Sequence, residues 1–196
     1  IVDCSIAPLN RRVLTNVDRL KLLVLSSTGY DSVDLKAASK RKIKIANAPG
    51  FSTDAVAEMV IALMFAVIRK IPLGDKLVRK KPFQIDWSDE RHVKLFGTDI
   101  RGKTLGIVGL GRIGTRVAEL GLGLGMKVIG YNRTPKYIKG VKAVGMKKLL
   151  ELSDVVSVNL ALAPGLENTI STRELNLMKP TAVLINTARG RHVNTA

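Results

Sequence analysis

Short aliphatic runs alternate along this chain with longer segments of helical spacing. Ile1 to Cys4, Leu22 to Ser26 and Ile43 to Ala46 read as strands, the second a β-branched and aliphatic run consistent with burial. Thr28-Gly29 punctuates the chain after the second run, and Val33 to Lys42 has helical spacing. Asn47, Pro49 and Gly50 form a turn cluster. Ser52 or Thr53 then stands where a helix N-cap is expected, with Asp54 favourable in the first turn. The helix that follows, to Ile68, is apolar on most sides from Val56 onward, which predicts burial against another domain or subunit. Pro72 kinks or restarts it. Lys81 to Phe96 is polar, holds Trp87 and His92, and has no clean period; it reads as an arm or interdomain connection.

The second half repeats one unit. Strands are predicted at Lys103–Val108, Lys127–Tyr131, near Ala143-Val144, at Val155–Leu160 and at Ala182–Asn186. Helices are predicted from the glycine loop to about Leu124, where Gly125 suits a C-cap, and over Lys147–Leu152 and Ser171–Met178. Repeated strand–helix units predict an α/β chain with parallel sheets and right-handed crossovers.

Composition narrows this picture. The 196 residues are 46% hydrophobic and 24% charged, enough for a packed core or two and unlike a disordered chain. A single cysteine, Cys4, allows no internal disulfide and suits a reducing cytoplasm. The most apolar stretch, Ala55 to Ile68, is too short to span a bilayer and contains Glu58. Net charge is +16, from 32 basic and 16 acidic residues, without a block tail. With aromatics at 4%, the interleaving of single-strand binders is absent, which disfavours nucleic-acid binding; a soluble enzyme for anionic substrates, or a merely basic proteome, explains the charge as well. The strand-like start at Ile1 and the stop just past a strand end lead us to expect a fragment.

Gly109-Leu-Gly111-Arg-Ile-Gly114 follows a predicted strand and opens a predicted helix, the context that turns G-x-G-x-x-G into a dinucleotide-binding signal. Gly109 allows a tight turn, Gly111 lets backbone approach a pyrophosphate, and Gly114 lets helix and strand pack closely. The helix N-terminus binds phosphate, with Arg112 adding a cation. The second glycine run, Gly121 to Gly125, ends a helix and reads as a loosened terminus. Where a ribose-binding carboxylate is expected, the chain has Asn132-Arg133-Thr134, which suits a 2′-phosphate or is a plain surface loop. Arg189 follows the last strand, where ligands bind in open α/β sheets; it either clamps a carboxylate or is a surface residue. His92 and His192 have no nucleophile or metal-ligand pattern beside them and read as structural or surface residues.

Taken together, Ser26 to Asp34 (SSTGYDSVD), Asn47 to Gly50 (NAPG), Ser52 to Glu58 (STDAVAE), Gly102 to Gly114, Gly125 to Val128, Met178 to Pro180 and Leu184 to Gly190 (LINTARG) resemble the D-isomer-specific 2-hydroxyacid dehydrogenases. The glycerate, hydroxypyruvate, glyoxylate and phosphoglycerate branches are nearest. The resemblance implies a Rossmann-type doubly wound sheet over 97–196 and a flavodoxin-like substrate domain over 1–96, both incomplete. It implies NAD(P), with NADP favoured by Asn132 to Thr134, and a homodimer at full length. Ser27, Thr28 and Gly29 match the loop that meets the substrate carboxylate, and Thr28 also faces the nicotinamide. Leu110 to Ile113 match pyrophosphate contacts, Leu160 a cofactor-lining position, and Thr187, Ala188 and Arg189 the nicotinamide site. Arg189 matches the catalytic arginine. The family's catalytic His and Glu lie beyond Ala196 in its order, so these 196 residues alone are expected to be inactive. A dinucleotide-sensing corepressor is the alternative; an adenosylhomocysteine hydrolase is opposed by the Ser-Thr-Gly-Tyr-Asp and Thr-Ala-Arg-Gly segments.

Overall fold

The computed structural model describes residues 2–3, 8–79, 86, 88–90, 95–163 and 165–194. Two parallel sheets are built in succession. The first holds β1 (Val2–Asp3), β2 (Leu22–Leu25) and β3 (Lys44–Asn47) in that order. Its helices are α1 (Arg11–Thr15), started by the Asn10 side chain accepting the Val13 N–H, and α2 (Leu35–Lys40), started by Asp34 accepting the Ala37 N–H. Helix α2 is shorter than its periodicity predicts because Asp34 caps it and Lys42 turns left-handed at φ 56°. Leu14, Leu23, Leu25, Ala38 and Ile43 bury into one core there.

Helix α3 (Thr53–Ile68) leaves this sheet and packs on the second. Ala57, Val60 and Met64, spaced three and four apart, enter the core with Leu105, Ile107, Val117 and Val155. The opposite face stays open: Met59, Leu63 and Val67 are 54%, 40% and 53% exposed. Lys70, left-handed at φ 54°, breaks the helix, and α4 (Ile71–Val78) restarts with Pro72 in its first turn. One expectation needs correction. Ser52 is the N-cap of α3, but its side chain caps nothing; its hydroxyl pairs with Thr28 Oγ1 at 3.2 Å instead. Of the expected arm Lys81 to Phe96, most residues, Trp87 and His92 among them, lie outside the described residues.

The second sheet runs β4 (Thr104–Val108), α5 (Arg112–Gly123), β5 (Lys127–Tyr131), β6 (Val141–Ala143), α6 (Met146–Leu152), β7 (Val155–Val158), α7 (Thr172–Leu175) and β8 (Val183–Asn186). Its spatial order is β6-β5-β4-β7-β8, all parallel. The chain winds outward from β4 to one edge, then returns to β7 and winds to the other. This is the expected doubly wound Rossmann-type arrangement, with its switch point between β4 and β7. The central strands β4 (TLGIV) and β7 (VVSV) are buried, β4 from Leu105 to Val108 and β7 throughout, as strands covered on both faces must be. The carboxylate of Asp154, just before β7, accepts the N–H of Thr104, which opens β4, at 2.8 Å, and Lys179 Nζ at 2.8 Å. Gly125, at φ 75°, ends the α5 region as its sequence position predicts.

Candidate active site

The carboxyl ends of both sheets face one cleft of about 510 Å³. Loops after β2 and β3 form one wall, and loops after β4, β7 and β8 form the other. Ser27, Thr28, Gly29, Gly111, Arg112, Ile113, Leu160, Thr187, Ala188 and Arg189 all line it. Residues as far apart in sequence as Ser27 and Arg189 are therefore brought together. Gly109, Leu110 and Gly114 form the turn beneath the cleft, while Asn132, Arg133 and Thr134 sit outside its lining, at the end of β5.

The glycine loop has the features that a bound phosphate needs. Gly109 is at φ 94°, a conformation that L side chains rarely adopt. A Cβ on Gly114 would collide with the Gly109 carbonyl, so strand and helix approach as closely as the motif predicts. In front of Gly111 a Cβ would meet no atom within 4 Å, so that space is open. The N-cap of α5 is Gly111, which has no side chain to cap it, and among the described residues this leaves the first N–H groups of the helix directed at this space. Arg112 reaches across the cleft, Nη1 donating to the Pro49 carbonyl at 2.9 Å.

Asn132 has a role that its sequence position did not reveal. Its Oδ1 accepts the Leu110 N–H at 3.1 Å and its Nδ2 donates to the Thr134 carbonyl at 2.7 Å. The amide thus staples the end of β5 to the glycine loop. Lys136 Nζ joins it, donating to the Leu110 carbonyl at 3.0 Å and to Thr115 Oγ1 at 3.1 Å. Arg133, between the stapled positions, is exposed and makes no ion pair with the described residues.

The opposite wall is built from a folded turn. Ser27 Oγ donates to the Gly29 carbonyl at 2.8 Å, and Asn47 Nδ2 donates to the Thr28 carbonyl at 2.9 Å. The backbone N–H groups of Thr28 and Gly29 have no partner among the described residues. After β8, the Asn186 side chain folds the next loop, accepting the Ala188 N–H at 3.1 Å and donating to the Arg189 carbonyl at 2.8 Å. His192 locks the base of that loop. It is fully buried, with Nδ1 at 2.8 Å from the Leu166 carbonyl and Nε2 at 3.2 Å from the Leu160 carbonyl. Of the two sequence readings, structural or surface, the structure gives the structural one, and His192 ties the Arg189 and Leu160 carbonyls together.

Among the described residues, two buried polar atoms, Asn159 Oδ1 and Thr187 Oγ1, find no hydrogen-bond partner. Both residues line the cleft. Buried polar groups are rarely left so, and an orphan pair facing a cavity points to a polar ligand. With the open glycine loop, this pair fits a dinucleotide laid along the switch point. Asn159 and Asp31 also line the cleft, although sequence reasoning did not single them out. Asn159 falls inside the strand predicted over Val155–Leu160, whereas β7 ends at Val158 and leaves Asn159 in the loop that follows. Asp31 carried no signal of its own partner, which lies 158 positions away.

A glycine loop at the switch point of a doubly wound sheet, facing a second parallel sheet across a polar cleft, defines a dinucleotide-binding protein of two α/β units. The chain belongs to the D-isomer-specific 2-hydroxyacid dehydrogenase family, whose NAD-binding domain matches residues 61–196. It is 41% identical over 194 residues to a glyoxylate reductase of Thermococcus litoralis, covering 95% of this chain and 57% of that protein. A glyoxylate reductase of Korarchaeum cryptofilum is 37% identical over 99% of this chain and 59% of its own length. The chain thus spans less than two thirds of these relatives. Among solved structures, a D-lactate dehydrogenase from Aquifex aeolicus complexed with NAD and lactic acid superposes with TM-score 0.89 at 32% identity, over 100% of this chain and 58% of that one. An acyclic imino acid reductase in complex with NADPH and D-Arg gives TM-score 0.87 at 35% identity, over 98% and 61%.

Proposed function

We propose that this chain supplies the cleft of an NAD(P)-dependent reductase that acts reversibly on small 2-oxo acids and yields the D-2-hydroxy acid. The observation that carries the reading is a juxtaposition. Arg189 and the unpartnered N–H groups of Thr28 and Gly29 face the same cleft as the open glycine loop. The glyoxylate reductase relatives favour a substrate with a small C2 substituent.

The glycine loop with Asn159 and Thr187 would hold a reduced nicotinamide dinucleotide, which would supply the hydride for C2 of the substrate. Arg189 and the Ser27–Gly29 loop hold the carboxylate, and the guanidinium stabilises charge developing on the carbonyl oxygen. The proton that this oxygen takes up comes from another group than His192, whose two ring nitrogens face backbone carbonyls. In this reading residues 1–96 belong to the substrate domain and 97–196 to the nucleotide domain, with α3 packed into the latter. Arg133, Thr134 and Lys136 select NADPH over NADH. The open stripe Met59, Leu63 and Val67 is the face of a homodimer. We assign the protein to the cytoplasm, with no nucleic-acid partner.

The test uses the enzyme at its full encoded length. Arg189→Gln should lower kcat/KM with glyoxylate by on the order of 10²–10³, and Arg189→Lys should also be poor because a point charge cannot form the fork. Near-wild-type kcat/KM in the Gln variant on every 2-oxo acid assayed would show that the role is wrong.

A further inference from the structure

We propose that Asp31 is the positioning residue for Arg189, gripping one edge of its guanidinium so that the opposite edge is presented to the substrate carboxylate. This rests on the reading of Arg189 given above. Asp31 follows β2 on one wall of the cleft, and Arg189 follows β8 on the other. Arg189 Nε donates to Asp31 Oδ1 at 3.1 Å and Oδ2 at 3.0 Å, and Nη2 donates to Oδ1 at 2.6 Å. Nη1 donates to the Ala188 carbonyl at 3.0 Å.

An arginine carries five N–H donors: one on Nε and two on each terminal nitrogen. The contacts above engage one donor on each of the three nitrogens. What remains is one N–H on Nη1 and one on Nη2, the end-on pair that matches a carboxylate in two parallel bonds. Asp31 therefore leaves the arginine a complete fork while fixing the plane in which it lies. Without that grip, a long side chain on a loop would sample several rotamers and lose alignment with the substrate.

Gly29 completes the arrangement. A Cβ at this position would fall on Arg189 Nη2, so only glycine lets the guanidinium lie against the turn. The unpartnered Gly29 N–H is thereby brought beside the arginine, and backbone and side-chain donors converge on one anion. The Arg189 guanidinium also holds the Asp31 carboxyl below the usual carboxylate range, so the grip is ionic at neutral pH.

The experiment measures kcat/KM with glyoxylate and NADPH in the full-length enzyme. It also measures binding of oxamate, a non-reacting 2-oxo acid mimic, to the enzyme–NADPH complex. Asp31→Asn should lower kcat/KM and weaken oxamate binding, each by roughly 10- to 30-fold, the lower part of the range for a charge-assisted contact because the pair is about one-third exposed. In an Arg189→Gln background the same substitution should change kcat/KM by less than about twofold, since Asp31 acts through Arg189. Formate should restore part of the activity of Asp31→Ala while only inhibiting the wild type. A rise in kcat/KM in Asp31→Asn would overturn the proposal, since Asp31 would then compete with substrate for the arginine. Equal losses from Asp31→Asn in both backgrounds would also overturn it, by placing the effect in the fold. If Arg189→Gln alone keeps full kcat/KM, the reading of Arg189 fails. If Arg189→Gln is crippled and Asp31→Asn is silent, only the role of Asp31 fails.

Discussion

Replacing Arg133 by alanine isolates the choice between NADPH and NADH. Arg133 is exposed and makes no ion pair with the described residues, so its removal should leave the fold intact. Its backbone is held on both sides, because the Asn132 amide joins the Leu110 N–H to the Thr134 carbonyl. The guanidinium thus departs from a fixed point beyond the carboxyl end of β5, where an adenosine ribose is bound in doubly wound sheets. A charge-assisted contact contributes roughly 1.5–3 kcal/mol when shielded. At an exposed site screening reduces this to about 1 kcal/mol, or about fivefold in Kd. Lys136 is tethered to the Leu110 carbonyl and Thr115, so it adds positive charge nearby without needing to move. The assay is a fluorescence titration of NADPH and NADH against wild type and Arg133→Ala, at low salt and near 1 M salt. Kd for NADPH should rise about fivefold at low salt while Kd for NADH stays unchanged. The difference should shrink at high salt, where the Debye length falls to about 3 Å. Equal weakening of both cofactors, or no change in either, refutes the assignment.

Two further outcomes are expected. Partial burial pushes the Asp154 carboxyl up, but hydrogen bonds from Lys179 and the Thr104 N–H outweigh it and hold the group below its usual range. A depressed folded value means stability present above the unfolded value near about pH 4 and lost as pH falls through the folded one. Asp154→Asn should therefore cost about 1–2 kcal/mol in urea melts at pH 7, with the gap to wild type closing below about pH 4; a constant gap down to pH 3 contradicts this. Leu63→Glu, on the open face of α3, should shift the full-length protein from dimer to monomer in sedimentation without altering its far-UV circular dichroism; an unchanged sedimentation coefficient removes that face from the interface.

How much of this molecule could be read from sequence follows from the range of each interaction. Strands β4, β5 and β8 were legible to within a residue because each carries its apolar residues in one short consecutive run, and that signal is local. The glycine loop was legible for the same reason: the turn, the open space before Gly111 and the tight packing at Gly114 all belong to six consecutive residues. Helix α3 was half legible. Its all-round apolarity announced two buried faces, but only three-dimensional packing separates Ala57, Val60 and Met64, inside, from Met59, Leu63 and Val67, outside. Side-chain partners were not legible. Ser52 has the composition of a cap and instead meets Thr28, 24 positions away, and nothing near Asn132 in sequence announces its bond to the Leu110 N–H, 22 positions away. Asp31 is the extreme instance. Its neighbours in sequence describe a turn, and its pairing exists only because two sheets point their carboxyl ends into one cleft. The same geometry that hides the pair from sequence makes it useful, since a carboxylate from one wall can set the orientation of a guanidinium on the other only where the walls meet.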